Sequence, residues 1–368
     1  MKALRIILGM CLLVSTAVGQ TLTTLHNFCS PTNCSDGGLV NAGVIQGKDG
    51  NFYGTTFKGA AGYGTVYKIT PSGTLTVLHT FTGKADGGNA YAGVIQASDG
   101  NLYGTTQLGT IYRVTPTGSF KMLHKFSAGT QVNAGLLQAK DGNFYGATAT
   151  LDTVFKMTPA GVVTTLHTFK GPDGANPLGT LIQASDGNFY GTTQYGGTSS
   201  NCAGGCGTVY KITPAGVFTS IASFSFANGS VLWAGLVEGS DGNFYVTTSL
   251  GENGGTVCKI TPAGVITVLA SPIDSYSTLL EASDGDFFGT AVYGVGQDGG
   301  LVFEMSPKGA ISILYGFNGP DGLFPFAGLT RGTDGNLYGT TSAGGAYWLE
   351  KTQCTNGCGT VFVLAGAS

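Results

Sequence analysis

Asp49-Gly50-Asn51-Phe52-Tyr53-Gly54-Thr55-Thr56 is the stretch that decides the fold, because its leading Asp returns at Asp99, Asp141, Asp186, Asp241, Asp284 and Asp334 in similar surroundings. The Asp-Gly-Asn sequence closes a short hairpin, since Gly accepts the left-handed backbone that such a turn needs. The Phe, Tyr and Thr that follow are strand formers. The stretch is thus a turn and a strand of a repeating unit, and the rest of the unit is read outward from it.

Ahead of the turn lies a first strand-like segment, A, at Asn41 to Gln46, echoed at Tyr91, Asn133, Leu178, Trp233, Tyr276 and Phe326. The opening stretch supplies the second segment, B. Segment C is Gly64 to Thr70, echoed from Gly109, Asp152, Gly207, Gly255, Gly300 and Gly359, and segment D is Leu75 to Phe81, echoed from Phe120, Val163, Phe218, Ile266 and Ile311. Thr70-Pro71-Ser72-Gly73 and its kin join C to D through a tight turn, with Pro presetting the backbone and Gly completing it. Strands joined by short turns are antiparallel neighbours. Each unit of about fifty residues is then a four-stranded meander, the size of one propeller blade.

The ends of the chain predict how the ring closes. Segments A, B and C each occur seven times after residue 40, whereas D occurs six times there and once more at Leu22 to Phe28. The expected fold is all-β: a seven-bladed propeller in which the N-terminal strand, residues 21–28, completes a last blade built from 326–363. Residues 20–368 are expected to form this single propeller, and residues 1–19 to be a cleaved signal peptide. Lys2 and Arg5 precede an apolar run from Ile6 to Val18, with Ala17-Val18-Gly19 as the cleavage site, while Met10 ahead of Cys11 argues against a lipoprotein. The run is short of the roughly 20 residues that span a bilayer.

Composition agrees with this reading. Of 368 residues 63 are Gly, without a collagen-like triplet, and only 10% are charged. The formal charge is -3, or -5 without Lys2 and Arg5, and no basic stripe exists, which argues against a nucleic-acid partner. A secreted or periplasmic protein, monomeric and without a membrane span after cleavage, is expected.

The repeat Asp-Gly-Asn-Phe-Tyr-Gly-Thr-Thr, a Gly-rich loop and Gly-Thr-Val-Tyr-Lys-Ile-Thr-Pro resemble the GloVer tandem-repeat family of exported bacterial proteins over essentially the whole mature chain. The resemblance implies a repeat architecture rather than an activity. Members often carry a C-terminal sorting anchor, and nothing after Val361 resembles one. A more distant likeness is to streptogramin (virginiamycin B) lyases, propellers whose second strands end in Trp-Phe-Thr-Glu and whose chemistry needs His, Glu and magnesium. The position of that Glu is held here by Thr56, Thr106, Thr148, Thr193, Thr248, Ala291 and Thr341, so no catalytic residue carries over.

Titratable residues follow the repeat as well. His26, His79, His124 and His167 occupy one register of segment D, at the outer rim of successive blades, too far apart to share a metal. The turn Asp residues are explained by the hairpin. Asp36, Asp86, Asp173, Asp274 and Asp321 lie in the loops from D to A, where a turn or a divalent cation would account for them. No hydrolytic triad is supported, and no cofactor or metal is expected.

Cys29 with Cys34, Cys202 with Cys206, and Cys354 with Cys358 read as three local disulfides of an exported protein. A bridge from Cys29 to Cys358 is the alternative, as the closing strand lies beside the last segment C. Local pairing is favoured because Cys202 and Cys206 hold the same repeat position with no third cysteine in their own blade. Cys258 stands in place of a segment C aromatic and is expected to be buried.

The turns from A to B and from C to D stay short, whereas the other two loop types vary. The variable loops share one face, which is the expected working surface. Segment A is innermost, and its first position is Asn41, Tyr91, Asn133, Leu178, Trp233, Tyr276 and Phe326. The four aromatics there, Tyr91, Trp233, Tyr276 and Phe326, either pack between blades or stack on a ligand at the channel mouth. Beside them the sequence predicts a hydroxyl ring of Thr56, Thr106, Thr148, Thr193, Thr248 and Thr341, with Trp348 on the long loop 342–358. The expected role is a binding module for an extracellular ligand, a carbohydrate, another neutral molecule or a protein. A propeller lyase or hydrolase, and a purely structural matrix protein, are the alternatives.

Overall fold

The computed structural model describes residues 20–29, 34–59, 61–293, 298–349, 354 and 356–367. The expected signal peptide, residues 1–19, lies outside them. Within them 28 strands form seven four-stranded antiparallel sheets, the blades of a β-propeller. Blade 1 comprises Ile45–Gln46, Phe52–Thr55, Thr65–Ile69 and Leu75–Thr80 in spatial order, and blades 2 to 6 repeat this meander. In blade 7 the outer strand is Thr21–Asn27, paired antiparallel with Thr360–Ala365 from Thr21 opposite Ala365 to Asn27 opposite Thr360. Among the described residues no helix is long and apolar enough to cross a membrane.

Only the last two residues of each six-residue segment A join the ladder. The earlier ones run along the channel, where the neighbouring blade approaches closely at the third position. A Cβ on Gly43 would stand 2.8 Å from the carbonyl oxygen of Gly328. The convergence of seven strands on one axis is thus met by small residues at Ala42 and Gly43 and their equivalents.

Segment B makes the blade-to-blade core. Its Tyr stacks on the Phe of the next blade: the ring centroids of Tyr145 and Phe189 are 4.0 Å apart, and those of Tyr338 and Phe52, across the closing seam, 3.9 Å. Its Gly is required because the segment C aromatic lies over it, with a Cβ on Gly54 only 2.4 Å from Tyr67 Oη. The turn is a closed hydrogen-bond unit. Asp49 accepts from Asn51 N at 3.2 Å, from Asn51 Nδ2 at 2.7 Å and from Tyr53 Oη at 2.8 Å.

The last residue of segment A rivets adjacent turns. Gln96 accepts from Lys48 N of the preceding blade at 2.9 Å and donates to Gly100 O of its own turn at 3.0 Å. Gln138, Gln183 and Gln46 repeat the bond to the preceding blade, and Glu238 and Glu281 substitute for it by accepting from a backbone N–H and a Ser hydroxyl.

Candidate functional site

The first positions of the seven segments A come together as predicted, lining a cavity of about 170 Å³ at the mouth of the channel. The four aromatics are half-buried and touch one another rather than separate blade interfaces. Tyr91 of blade 2 and Trp233 of blade 5 face each other with centroids 6.5 Å apart and planes 27° apart. Trp233 and Tyr276 are 5.5 Å apart, and Tyr276 and Phe326 5.2 Å. Phe57, from the loop after segment B of blade 1, stands edge-on to Tyr91 at 6.1 Å. No repeat signal marks Phe57, because the other blades have no aromatic there.

The polar groups of the mouth are uncharged. Burial, and then the nearby Tyr276, pushes the Tyr91 phenol above the usual range, and burial, with Asp274 and Tyr293 beyond it, does the same for Tyr276, so both stay neutral. Asn133 Oδ1 is buried without a hydrogen-bond partner, while its Nδ2 reaches Gln131 Oε1 at 3.5 Å. An acceptor left in that condition costs free energy until a donor reaches it. Below the mouth a second cavity of about 290 Å³ continues along the axis, lined by Ile45, Ile95 and Leu279 among others, and it shares Gly43, Gly93, Gly135, Thr180, Thr278 and Gly328 with the first.

The hydroxyl ring is a different matter. Thr56, Thr106, Thr148, Thr193, Thr248 and Thr341 are all fully buried inside the blades, not set around the mouth. Thr56 Oγ1 accepts from Thr65 N at 2.9 Å and meets Thr65 Oγ1 at 3.0 Å, and Thr65 donates onward to Asp36 O at 3.0 Å. Thr148 with Thr153, Thr193 with Thr208, Thr248 with Thr256 and Thr341 with Thr360 repeat the pair at 2.8 to 2.9 Å, as does Thr106 with Thr110. The physical reason is that segment B is the second strand from the axis, about 4.8 Å beyond segment A, and its end is covered by the loop whose carbonyl the pair holds. The sequence carries a signal for this: in blade 6 both members change together, to Ala291 and Leu301. The preceding Thr is the one turned to the channel wall, with Thr55 donating to Ala92 O at 3.0 Å and Thr340 to Ala42 O at 3.0 Å.

Trp348 also lies away from the mouth. Its indole covers Gly319, where a Cβ would meet Cε2 at 2.9 Å. The loop face instead gains exposed apolar side chains two residues beyond segment B, at Leu108, Tyr195, Leu250 and Tyr293.

The loop carboxylates are occupied as loop anchors. His26 Nε2 meets Asp36 Oδ2 at 2.8 Å, His79 meets Asp86 at 3.3 Å and His167 meets Asp173 at 2.9 Å, while Tyr315 donates to Asp321 at 2.5 Å. His79 and His167 further stack on Phe120 and Phe218 at 3.8 and 3.7 Å. Each pair ties the outer strand of one blade to the loop entering the next. The three cysteine pairs stand at disulfide distance, with Cα separations of 4.1, 5.2 and 5.2 Å, and Cys258 is free and buried.

Solved structures share this architecture. A streptogramin B lyase aligns over 94% of this chain and 97% of its own at 15% identity and a TM-score of 0.65. A catalytically inactive virginiamycin B lyase from Staphylococcus aureus, solved with quinupristin, aligns over 94% and 99% at 15% identity and a TM-score of 0.66. The extracellular domain of a putative hybrid two-component system from B. thetaiotaomicron aligns over 95% of this chain and 41% of its own, at 16% identity and a TM-score of 0.62. These likenesses show the fold. A comparison with the curated proteins found no match. The model of the Gloeobacter/Verrucomicrobia repeat matches residues 12–150 and 107–277, more than half of the sequence, and the chain belongs to that family.

Proposed function

We propose that this protein is an exported, non-catalytic binding module that takes a neutral, hydroxyl-bearing ligand, a glycan above all, at the channel mouth. The observation that carries the reading is the joint presence there of Tyr91, Trp233, Tyr276 and Phe326 in a lining without charged side chains. Aromatic faces stack on the apolar face of a sugar ring, and the uncharged polar side chains of the lining, Asn41, Tyr91 and Tyr276 among them, exchange hydrogen bonds with hydroxyl groups. No charged side chain is among the residues lining the cavity, so an ionic ligand would go uncompensated. The expected export signal in residues 1–19 and the three cysteine pairs support a location outside the cytoplasm.

The test is a thermal-shift and calorimetric screen of neutral glycans and small polyols. A ligand that raises the melting temperature should lose at least tenfold in affinity with Trp233→Ala, and less with Asn133→Ala. If no compound shifts the melting temperature, or a located ligand binds Tyr91→Ala and Trp233→Ala as tightly as wild type, the mouth is not the site.

A further inference from the structure

The two cysteine pairs at the ends of the chain are not separate. Cys29 follows the closing strand of blade 7, and Cys358 precedes the strand Thr360–Ala365 with which it pairs. The backbone carries them to one place: Phe28 N donates to Gly359 O at 3.1 Å and Leu39 N to Cys358 O at 2.9 Å. The sulfurs of Cys29, Cys354 and Cys358 all lie within 4.8 Å of one another and are buried. The loop after Cys34 rests on the second pair, since a Cβ on Gly38 would stand 3.0 Å from Cys354 Sγ and 3.1 Å from Cys358 Sγ. Blade 4 provides the contrast, because Cys202 and Cys206 have no third sulfur beside them among the described residues.

We infer that these four cysteines form a thiol–disulfide exchange unit that converts two local bridges into bridges across the seam of the ring. A small thiol attacks Cys34 Sγ, forming a mixed disulfide there and releasing the Cys29 thiolate. That thiolate attacks Cys358 Sγ, making the Cys29 to Cys358 bond and releasing the Cys354 thiolate. Cys354 then attacks Cys34 Sγ, making the Cys34 to Cys354 bond and expelling the original thiol. Each step breaks one S–S bond and forms one, so the sequence consumes no oxidant or reductant. The product ties the N-terminal strand covalently to the C-terminal blade. A bridge between residues 29 and 358 closes a far longer loop than either local one, and so constrains the unfolded chain far more.

Trypsin distinguishes the two isomers. No Lys or Arg lies between Arg5 and Lys48 or after Lys351, so both cysteines of each local pair stay on one peptide, and only a seam bridge links two. The full-length protein is incubated at pH 8.5 with a catalytic amount of reduced glutathione, quenched in acid and mapped without reduction. The expected result is a cross-linked species joining the peptide ending at Lys48 to the one beginning at Thr352, with a raised melting temperature, while Cys202 and Cys206 stay paired locally. Cys34→Ser supplies the attacking thiol without glutathione: Cys29 should become resistant to alkylation, and Cys354 or Cys358 reactive. If wild type yields only local pairs at every time, and Cys29 of Cys34→Ser stays fully alkylatable beside an intact Cys354 to Cys358 bond, the inference is overturned.

Discussion

The two ends of segment A meet opposite conditions. At the turn end of blade 5 the Asp241 carboxylate is filled by Asn243, Tyr245 and the Lys259 ammonium, the last at 2.7 Å. At the mouth end of blade 3 the Asn133 carbonyl oxygen has no partner, and four aromatic rings gather around a cavity. The turn of blade 5 thus commits its carboxylate to holding the hairpin and its neighbouring strand, while the mouth end of blade 3 leaves one buried acceptor unbonded. Blade 6 shows what happens when the turn face departs from the repeat. Asp286 takes the place of Asn, and Glu304 the place of the Lys that faces Tyr245 in blade 5. Three carboxylates then share a corner where Arg331 lies over the Phe288 ring at 5.2 Å.

If the turn face is structural, its groups should answer to stability. The largest loss is expected for Asp241→Ala, about 1.5 kcal/mol, because the partly buried Tyr245 hydroxyl loses a charged acceptor, while the solvent-accessible Asn243 and Lys259 are rehydrated and add little. The measurement is the shift in urea midpoint, and a loss within about 0.5 kcal/mol would place this turn among neutral surface sites. Its pH dependence has a definite sign. Burial works against ionisation of Asp241, but the hydrogen bonds from Lys259, Asn243 and Tyr245 outweigh it and hold the carboxyl well below the usual carboxylate range. A depressed carboxyl contributes its stability above the unfolded value of 3.8, so the gap between wild type and Asp241→Ala should narrow as the pH falls below about 4.

The interior between the faces offers a gain. Tyr67 Oη, Tyr112 Oη and Tyr210 Oη are buried without partners, at a position where blades 3, 6 and 7 carry Phe155, Phe303 and Phe362. Tyr67→Phe is expected to stabilise by about 1 kcal/mol, read from the same denaturation curves. A destabilised variant would mean that the hydroxyl is bonded to an internal water.

Glu304→Lys, which restores the repeat, is expected to stabilise by about 0.5 kcal/mol. Burial, followed by Asp286 and Asp284, raises the Glu304 carboxyl, and burial with Asp284 raises Asp286. The sign is opposite to that of Asp241: ionisation here opposes the fold. The benefit should be full at neutral pH and shrink as acid protonates these groups in wild type. A gain that is independent of pH between 4 and 7 would point to packing instead.

The smallest expected change sharpens the contrast most. Asn133→Ala, at the mouth, should leave stability within about 0.5 kcal/mol of wild type or raise it, since it removes an unpaired acceptor. A loss as large as that of Asp241→Ala would show that the mouth is held for structure as well.

Most of this architecture was legible because the repeat supplies its own internal alignment. Asp49 and Gly50 read as a turn in seven copies, and the displaced segment at Leu22 to Phe28 read as the missing strand. The mouth was legible in part: segment A places Tyr91 and Trp233 at one level, but their meeting across the axis depends on the diameter of the ring, which no local pattern contains. The repeat shows that Thr56 ends a strand but not how far that strand lies from the axis, so its burial inside the blade has no local signature. Its pairing with Thr65 could have been read from the joint change to Ala291 and Leu301. The His26 to Asp36 pair was hidden by distance between blades, although the same spacing recurs at His79 and His167.

The seam in blade 7 also sets an order of events during synthesis. Among the described strands Thr21–Asn27 is made before all the others, and Thr360–Ala365, its partner, after them. Until residues 360–365 are made, strand Thr21–Asn27 has an unpaired edge, and closing the ring joins the described strands farthest apart in the chain. A nascent chain halted before residue 360 therefore exposes an edge that fits the incomplete blade of any other copy. Closure within one chain thus competes with strand exchange between copies, which grows with polypeptide concentration.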